Sequence, residues 1–224
     1  MVEMISRKKW DAIVQEWETI GPAYQIPRRS EAKLKFFLDN AIKYMEGKNV
    51  LEIGCNAGIF GYHIAQVAQT YTGLEPGNLL KHPKCSKKER EERLRKNPPK
   101  TDYFEQALIT KLYMPDNSVF VNRTITDFIE HREKYKYDTF FACYALYHFT
   151  NSELSRLCEY IWPECDTVII QTRHQDRPTR HNKYKFYKPE KVKRFFESLG
   201  FKVQHLVPVV RAKMADFSIQ ICQR

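Results

Sequence analysis

The stretch VLEIGCNAGIF, residues 50–60, constrains this chain more than any other. Val50–Ile53 is a short apolar run carrying one acid, the pattern of a buried strand. A loop follows at once, and the acid and two glycines stand as Glu52-x-Gly54-x-x-x-Gly58. Glycine permits close backbone approach or a positive φ, which most side chains forbid. A strand entering a helix through such a loop is the usual way to hold a ligand at a strand end and a helix N-terminus. A plain strand-to-helix turn is the alternative, and the surrounding sequence has to decide.

On both sides of this stretch, helical and strand periodicities alternate. Ile5, Trp10, Ile13, Val14 and Trp17 form a helical face over residues 4–18, which a loop with Gly21, Pro22 and Pro27 ends. Ser30 is placed to cap a second helix, with Leu34, Phe37, Leu38, Ala41, Ile42 and Met45 on one face and Gly47 at its end. After the strand at 49–53 a helix is expected over 62–69. Strands are expected at 70–74, 118–122, 137–143, 167–172, 202–208 and 217–222. Helices are expected at 81–100, 104–113, 126–132, 151–161 and 189–199. The spacing suits crossover connections, so the sheet should be mostly parallel with helices on both faces. No room exists for a helix between Val209 and Asp216, so the last two strands should pair as an antiparallel hairpin. The expected fold is α/β: a three-layer sandwich around a mostly parallel seven-stranded sheet with a C-terminal antiparallel hairpin and added N-terminal helices.

The 224 residues, 42% hydrophobic and 13% aromatic, suit one such domain over 30–224 with a helical extension or lid at 1–29. No apolar run has membrane-spanning length. The N-terminus mixes acids and bases and lacks the apolar core of a signal peptide. Cysteines 55, 85, 143, 158, 165 and 222 show no CxxC spacing, which fits reduced thiols in a cytoplasmic protein and no metal site. The net charge of +10 is unevenly placed. Lys81–Lys100 holds nine Lys/Arg and three Asp/Glu, net +6, and Arg173–Lys188 holds six Lys/Arg and one Asp, net +5. The rest of the chain sums to −1.

With these residues in place, the chain resembles the class I S-adenosylmethionine-dependent methyltransferases over roughly residues 30–224. Glu52, Gly54 and Gly58 match the loop after strand one, and Glu75, 23 positions after Glu52, matches the ribose-binding acid at the end of strand two. Ala142–Phe149 (ACYALYHF) resembles the end of strand four, and Phe186-Tyr187-x-Pro189 with Leu199-Gly200-Phe201 resembles the family's last helix. Asn56 departs from a frequent middle glycine, but Asn tolerates the left-handed region better than other residues.

The resemblance implies S-adenosylmethionine as cofactor. Gly54, Asn56 and Gly58 would line its methionine part, with Glu52 in the same motif. Glu75 would hold the ribose and Pro76 would lie against the adenine. Thr124 and Ile125 would flank the adenine, and Cys143 and Tyr144 would lie under the sulfonium. Cys143 reads equally as a small core residue.

Transfer from a sulfonium needs mainly positioning and exclusion of water. His148 is the expected base where the acceptor atom must lose a proton, with Tyr144 the next catalytic candidate, followed by Tyr147 and His174. Packing against a helix cap is the other role open to His148. The expected acceptor is anionic. The stretches 81–100 and 172–188 follow strands two and five, so both belong on the ligand side of the sheet. His174, Arg177, Arg180, Lys183 and Tyr187 are the expected substrate-binding residues. Tyr184, Phe186 and Tyr187 alternate with lysines, a pattern that stacks bases and follows phosphates, so RNA comes first and a phosphorylated small molecule second. A small-metabolite O- or N-methyltransferase and a non-catalytic donor- or RNA-binding subunit are the alternatives. No membrane partner is expected, and the sequence leaves the oligomeric state open.

Overall fold

The computed structural model describes residues 5–19, 28–76, 102–146, 149–173, 189–207 and 217–224. Its centre is a seven-stranded sheet in the order β3-β2-β1-β4-β5-β7-β6. The strands are β1 (Asn49–Ile53), β2 (Thr70–Leu74), β3 (Ser118–Val121), β4 (Thr139–Cys143), β5 (Thr167–Arg173), β6 (Lys202–Leu206) and β7 (Phe217–Gln223). The first five are mutually parallel, and β7 runs antiparallel to both β5 and β6. The expected mostly parallel sheet and terminal hairpin are therefore observed, with β7 inserted between β5 and the outer β6.

Parallel strands must be covered on both faces, and the strand residues divide accordingly. Leu51, Ile53, Phe140, Ala142, Val168 and Ile170 pack on one side with Phe128, Trp162 and Phe196. Val50, Phe141 and Ile169 pack on the other with Trp17, Phe37 and Tyr71. Polar side chains align the strand starts. Asn49 Nδ2 donates to Asp138 Oδ2 at 3.0 Å, and Thr70 Oγ1 donates to Asn49 Oδ1 at 2.8 Å. One asparagine thus sets the register of β1 against both neighbours.

The helices are α1 (Arg7–Glu18), α2 (Arg28–Asn40), α3 (Ile59–Ile64), α4 (Tyr103–Lys111), α5 (Ile125–Ile129), α6 (Asn151–Tyr160) and α7 (Pro189–Ser198). Their starts follow capping chemistry. Ser6 accepts from Lys9 N, Asp102 accepts from Phe104 N and Glu105 N, and Thr150 with Glu153 forms a capping box. The extension α1 is tied down: the buried Trp17 indole donates to the Gln106 carbonyl at 3.0 Å, and the Tyr113 hydroxyl donates to Glu16. Among the described residues no helix is long and apolar enough to cross a membrane.

Boundaries move where glycine or sterics override the apolar period. The helix expected over 62–69 is α3, which starts at Ile59 because Gly58, at φ 78°, turns the chain straight into it. It ends at Ile64, and the following residues turn back toward β2. Helix α2 starts at Arg28, so Ser30 lies inside its first turn rather than at its cap, and its C-terminal part gives way to a 3-10 turn over Ile42–Met45. Strand β4 starts at Thr139, two residues later than expected. The helix expected over 81–100 lies outside the described residues.

Gly61 shows how tightly α3 sits on the sheet: an added Cβ would stand 2.2 Å from the Tyr71 hydroxyl and 2.4 Å from its ring. Gly→Ala inside a helix ordinarily gains about 1 kcal/mol. Here Gly61→Ala is expected to reverse that sign and cost about 1–3 kcal/mol by overpacking, read as a lower urea midpoint. A stabilised variant would show that α3 stands off β2.

Candidate functional site

The loops after β1, β2 and β4 meet at the C-terminal edge of the sheet. Three residues of the β1 loop have left-handed backbone: Gly54 (φ 69°), Asn56 (φ 50°) and Gly58 (φ 78°). The conformation folds the loop onto β2, where Gly54 N and Cys55 N donate to the Leu74 carbonyl at 2.8 and 3.3 Å. Asn56 takes the positive φ that its residue type tolerates, and its amide nitrogen reaches the Gly54 carbonyl at 3.4 Å.

The glycines have neighbours within the protein. A Cβ at Gly54 would stand 2.8 Å from the Ala145 Cβ beyond β4, and one at Gly58 would stand 2.6 Å from the Phe120 ring on β3. Close approach, assigned from sequence to a ligand, is thus already required by the chain itself. Helix α4 supports the loop from behind, where Thr110 Oγ1 donates to the Ala57 carbonyl at 2.7 Å.

Glu75 follows β2 and is 8% exposed. Its Oε2 accepts the Asn56 backbone N–H at 2.9 Å. Its other oxygen takes no hydrogen bond from the described residues. Burial raises the carboxyl to about 7, and the Asn56 N–H opposes that rise. The result is a nearly enclosed carboxylate with one oxygen satisfied and one able to accept. Pro76 lies half-buried beside it.

Glu52, expected in the cofactor motif, is 1% exposed, and its Oε2 accepts the Tyr71 hydroxyl at 2.7 Å. Burial lifts its carboxyl to about 8, with the Tyr71 hydrogen bond pulling it back and the charge of Glu75 adding to the rise. It supports Tyr71 within the core, and its burial favours the protonated carboxyl. Thr124 caps α5, accepting from Asp127 N and donating to Asp127 Oδ2 at 2.6 Å, and Ile125 is buried.

At the end of β4, Cys143 Sγ donates to Gln171 Oε1 at 3.5 Å, and burial pushes its thiol well above the ordinary range. A thiol held neutral in this way is no nucleophile. Tyr144 has φ 56°, rare for a bulky residue, and the Lys33 ammonium of α2 lies 4.2 Å from its ring centroid. His148, Tyr147, His174, Arg177, Arg180, Lys183 and Tyr187 lie outside the described residues. The structure brings together Gly54, Asn56, Gly58, Glu75, Cys143 and Tyr144, and places Glu52, Thr124 and Ile125 in supporting contacts. It adds Lys33, Ala145 and Thr110, which sequence reasoning passed over. Thr110 gave a faint signal as a polar residue on the packed face of a helix, whereas Lys33 gave none. Among the described residues no group of three or more His, Cys, Asp or Glu is arranged to hold a metal ion.

No family model matches the sequence, and no curated protein sequence matches it. Solved structures do match the fold. A cyclopropane-fatty-acyl-phospholipid synthase-like protein from Lactobacillus casei is 12% identical with a TM-score of 0.59, covering 98% of this chain and 100% of its own. The methyltransferase domain of bacterial CtHen1 is 12% identical with a TM-score of 0.54, covering 88% and 100%. DhpI, solved as a complex with SAM and HEP, is 14% identical with a TM-score of 0.52, covering 97% and 95%. The chain has the class I methyltransferase fold.

The Glu52 carboxyl gives a pH test of the support beneath the loop. Its folded value lies above its unfolded one, so the folded chain holds a proton that the unfolded chain releases between about 4.5 and about 8. Stability from this group is full below that window and falls as pH rises through it. Glu52→Gln keeps an acceptor for Tyr71 without the charge. Its urea midpoint should fall less than the wild type's between pH 5.5 and 8.5, and parallel profiles would show Glu52 ionised in the fold.

Proposed function

We propose that this chain is an S-adenosylmethionine-dependent methyltransferase whose acceptor is RNA. The observation that carries the first half is the half-satisfied Glu75 carboxylate, tied to the Asn56 N–H at the end of β2. A cis-diol is the ligand such an oxygen suits, since a nearly buried carboxylate with a single donor is costly. Gly54, Asn56 and Gly58 supply left-handed backbone beside it, and the residues present fit an adenosyl ligand. When bound, the donor supplies a methyl carbon on a sulfonium leaving group.

The chain's own part is to bind, orient and keep water out. Cys143 contributes packing as a neutral thiol, and Tyr144 presents an aromatic ring at the end of β4. His148, two residues beyond Leu146, is assigned proton removal where the acceptor atom carries one.

Charge placement supports an RNA acceptor. The net +6 stretch 81–100 lies in the connection leaving the C-terminal end of β2, and the net +5 stretch 173–188 leaves that of β5. In the sheet order these strands flank β1 and β4, so both connections issue on either side of the glycine loop. Cations flanking one crevice concentrate a polyanion there. Tyr184, Phe186 and Tyr187, set among lysines, add stacking surfaces for bases.

Glu75→Ala should weaken S-adenosylhomocysteine binding at least tenfold, about 1.4 kcal/mol, by calorimetric titration. In the wild type, binding should strengthen as pH rises through about 7, where Glu75 ionises, and the variant should lose that dependence. Unchanged affinity would remove Glu75 from the donor site. Replacing Arg177, Arg180, Lys183 and Lys185 together by Ala should spare S-adenosylhomocysteine binding, weaken RNA binding and flatten its salt dependence. An unchanged salt slope would point instead to a small-molecule acceptor.

A further inference from the structure

We propose that Gln171 is a specificity-determining residue of this site, its side-chain amide donating to a carbonyl oxygen of the base that the acceptor RNA presents between the ends of β4 and β5. The proposal rests on the reading above and adds to it a named residue and the kind of atom it recognises.

Gln171 stands where the sheet otherwise places apolar side chains. It pairs with Cys143 on β4 and with Ile219 on β7. Phe141, Ile169 and Ile219, on the same face, belong to one apolar cluster. Gln171 is itself wholly buried. A buried amide gives up its hydration and is ordinarily bonded at both ends. Here one end is bonded. Its Oε1 accepts from the Cys143 thiol at 3.5 Å, while its Nε2 has no acceptor among the described residues.

The orientation of the amide follows from its neighbours. A thiol donates and its sulfur accepts only weakly, so the carbonyl end faces Cys143 and the amino end is left over. The backbone is held too. The Gln171 main-chain carbonyl accepts the Tyr144 N–H at 3.0 Å, which carries the β4–β5 pairing one residue past the end of β4. Tyr144 leads directly to Ala145, the residue that a Cβ at Gly54 would strike, so the amide lies beside the same crevice as the glycine loop. Cys143 and Tyr144 are only part-buried, whereas Gln171 next to them is enclosed.

A buried donor without an acceptor is costly, and a ligand atom that accepts from it removes that cost. The complement of a neutral N–H is a lone pair, and an amino group in its place would set donor against donor. With its carbonyl end on Cys143, the amide does not serve an amino group by turning over. A carbonyl oxygen projects from a base and suits a recessed donor better than a nitrogen set back in the ring. Uracil, cytosine and guanine carry such an oxygen, and adenine carries none. Because Gln171 is enclosed, the oxygen reaches it by displacing what covers it, and the new hydrogen bond favours that opened state. A glutamine kept for packing, or for one ordered water, makes no such distinction between bases.

The test is binding of a short oligouridylate and a short oligoadenylate to the S-adenosylhomocysteine-loaded protein, wild type and Gln171→Met, with urea unfolding measured alongside. Methionine is unbranched like glutamine and carries no donor. The loss of affinity for oligouridylate in Gln171→Met should exceed that for oligoadenylate by roughly three- to tenfold, the size of one neutral hydrogen bond. Comparing losses cancels the difference in stacking between the two bases. The urea midpoint of Gln171→Met should rise, because the folded state no longer buries an unpaired donor. Gln171→Leu should repeat both results. Equal losses for the two oligonucleotides, or none, would overturn the proposal, and a lowered midpoint with them would mark Gln171 as a structural residue. Binding of neither oligonucleotide to the loaded wild type would overturn the RNA reading and the proposal with it. Failure to bind S-adenosylhomocysteine would overturn the methyltransferase reading itself.

Discussion

The hydrogen bond from the Asn56 backbone N–H to the Glu75 carboxylate is the contact around which the rest of the crevice is arranged. It forms only because Gly54, Asn56 and Gly58 all take left-handed backbone and bring the β1 loop back over β2. The loop path is in turn enforced from outside. Leu74 accepts its first two N–H groups, Ala145 and Phe120 leave no room for a Cβ at the glycines, and Thr110 holds the Ala57 carbonyl. Behind Thr110, α4 is anchored to α1 through Trp17. A carboxylate so enclosed keeps its charge at neutral pH only with help from donors, and Asn56 supplies one. A second donor from a ligand would complete the set.

Much of this was legible from residue order because it depends on local rules. The period of two in the strands, the positive φ that glycine and asparagine accept, and the missing helix between the last two strands each follow from short-range physics. The sheet and the β1 loop needed nothing more. The purpose of the glycines was not legible: the sequence suggests close approach, but only packing shows that Ala145 and Phe120 are the approaching groups. Glu52 misleads for the same reason. An acid at a strand end looks ligand-facing until the Tyr71 hydroxyl is found 2.7 Å away in the core. The contact of Lys33 with the Tyr144 ring was invisible because it arises from the packing of α2 on β4, between residues more than a hundred apart in sequence.

Charge divides the molecule into a neutral body and two basic connections, which alone exceed the net charge of the chain. The body supplies the buried carboxyls, the neutral thiol of Cys143 and the fixed ring of Tyr144, all of which favour a site that orients reactants over one that attacks them. In the proposed function the connections would supply long-range attraction, which falls with salt and carries little specificity by itself.

The central claim is that this crevice passes a methyl group to RNA. Its most direct test is incubation with S-adenosylmethionine labelled in the methyl group and a cell extract, followed by separation into RNA, DNA, protein and small-molecule fractions. The account predicts label in the RNA fraction that ribonuclease releases and that Glu75→Ala abolishes. Label confined to small molecules, protein or DNA would contradict it.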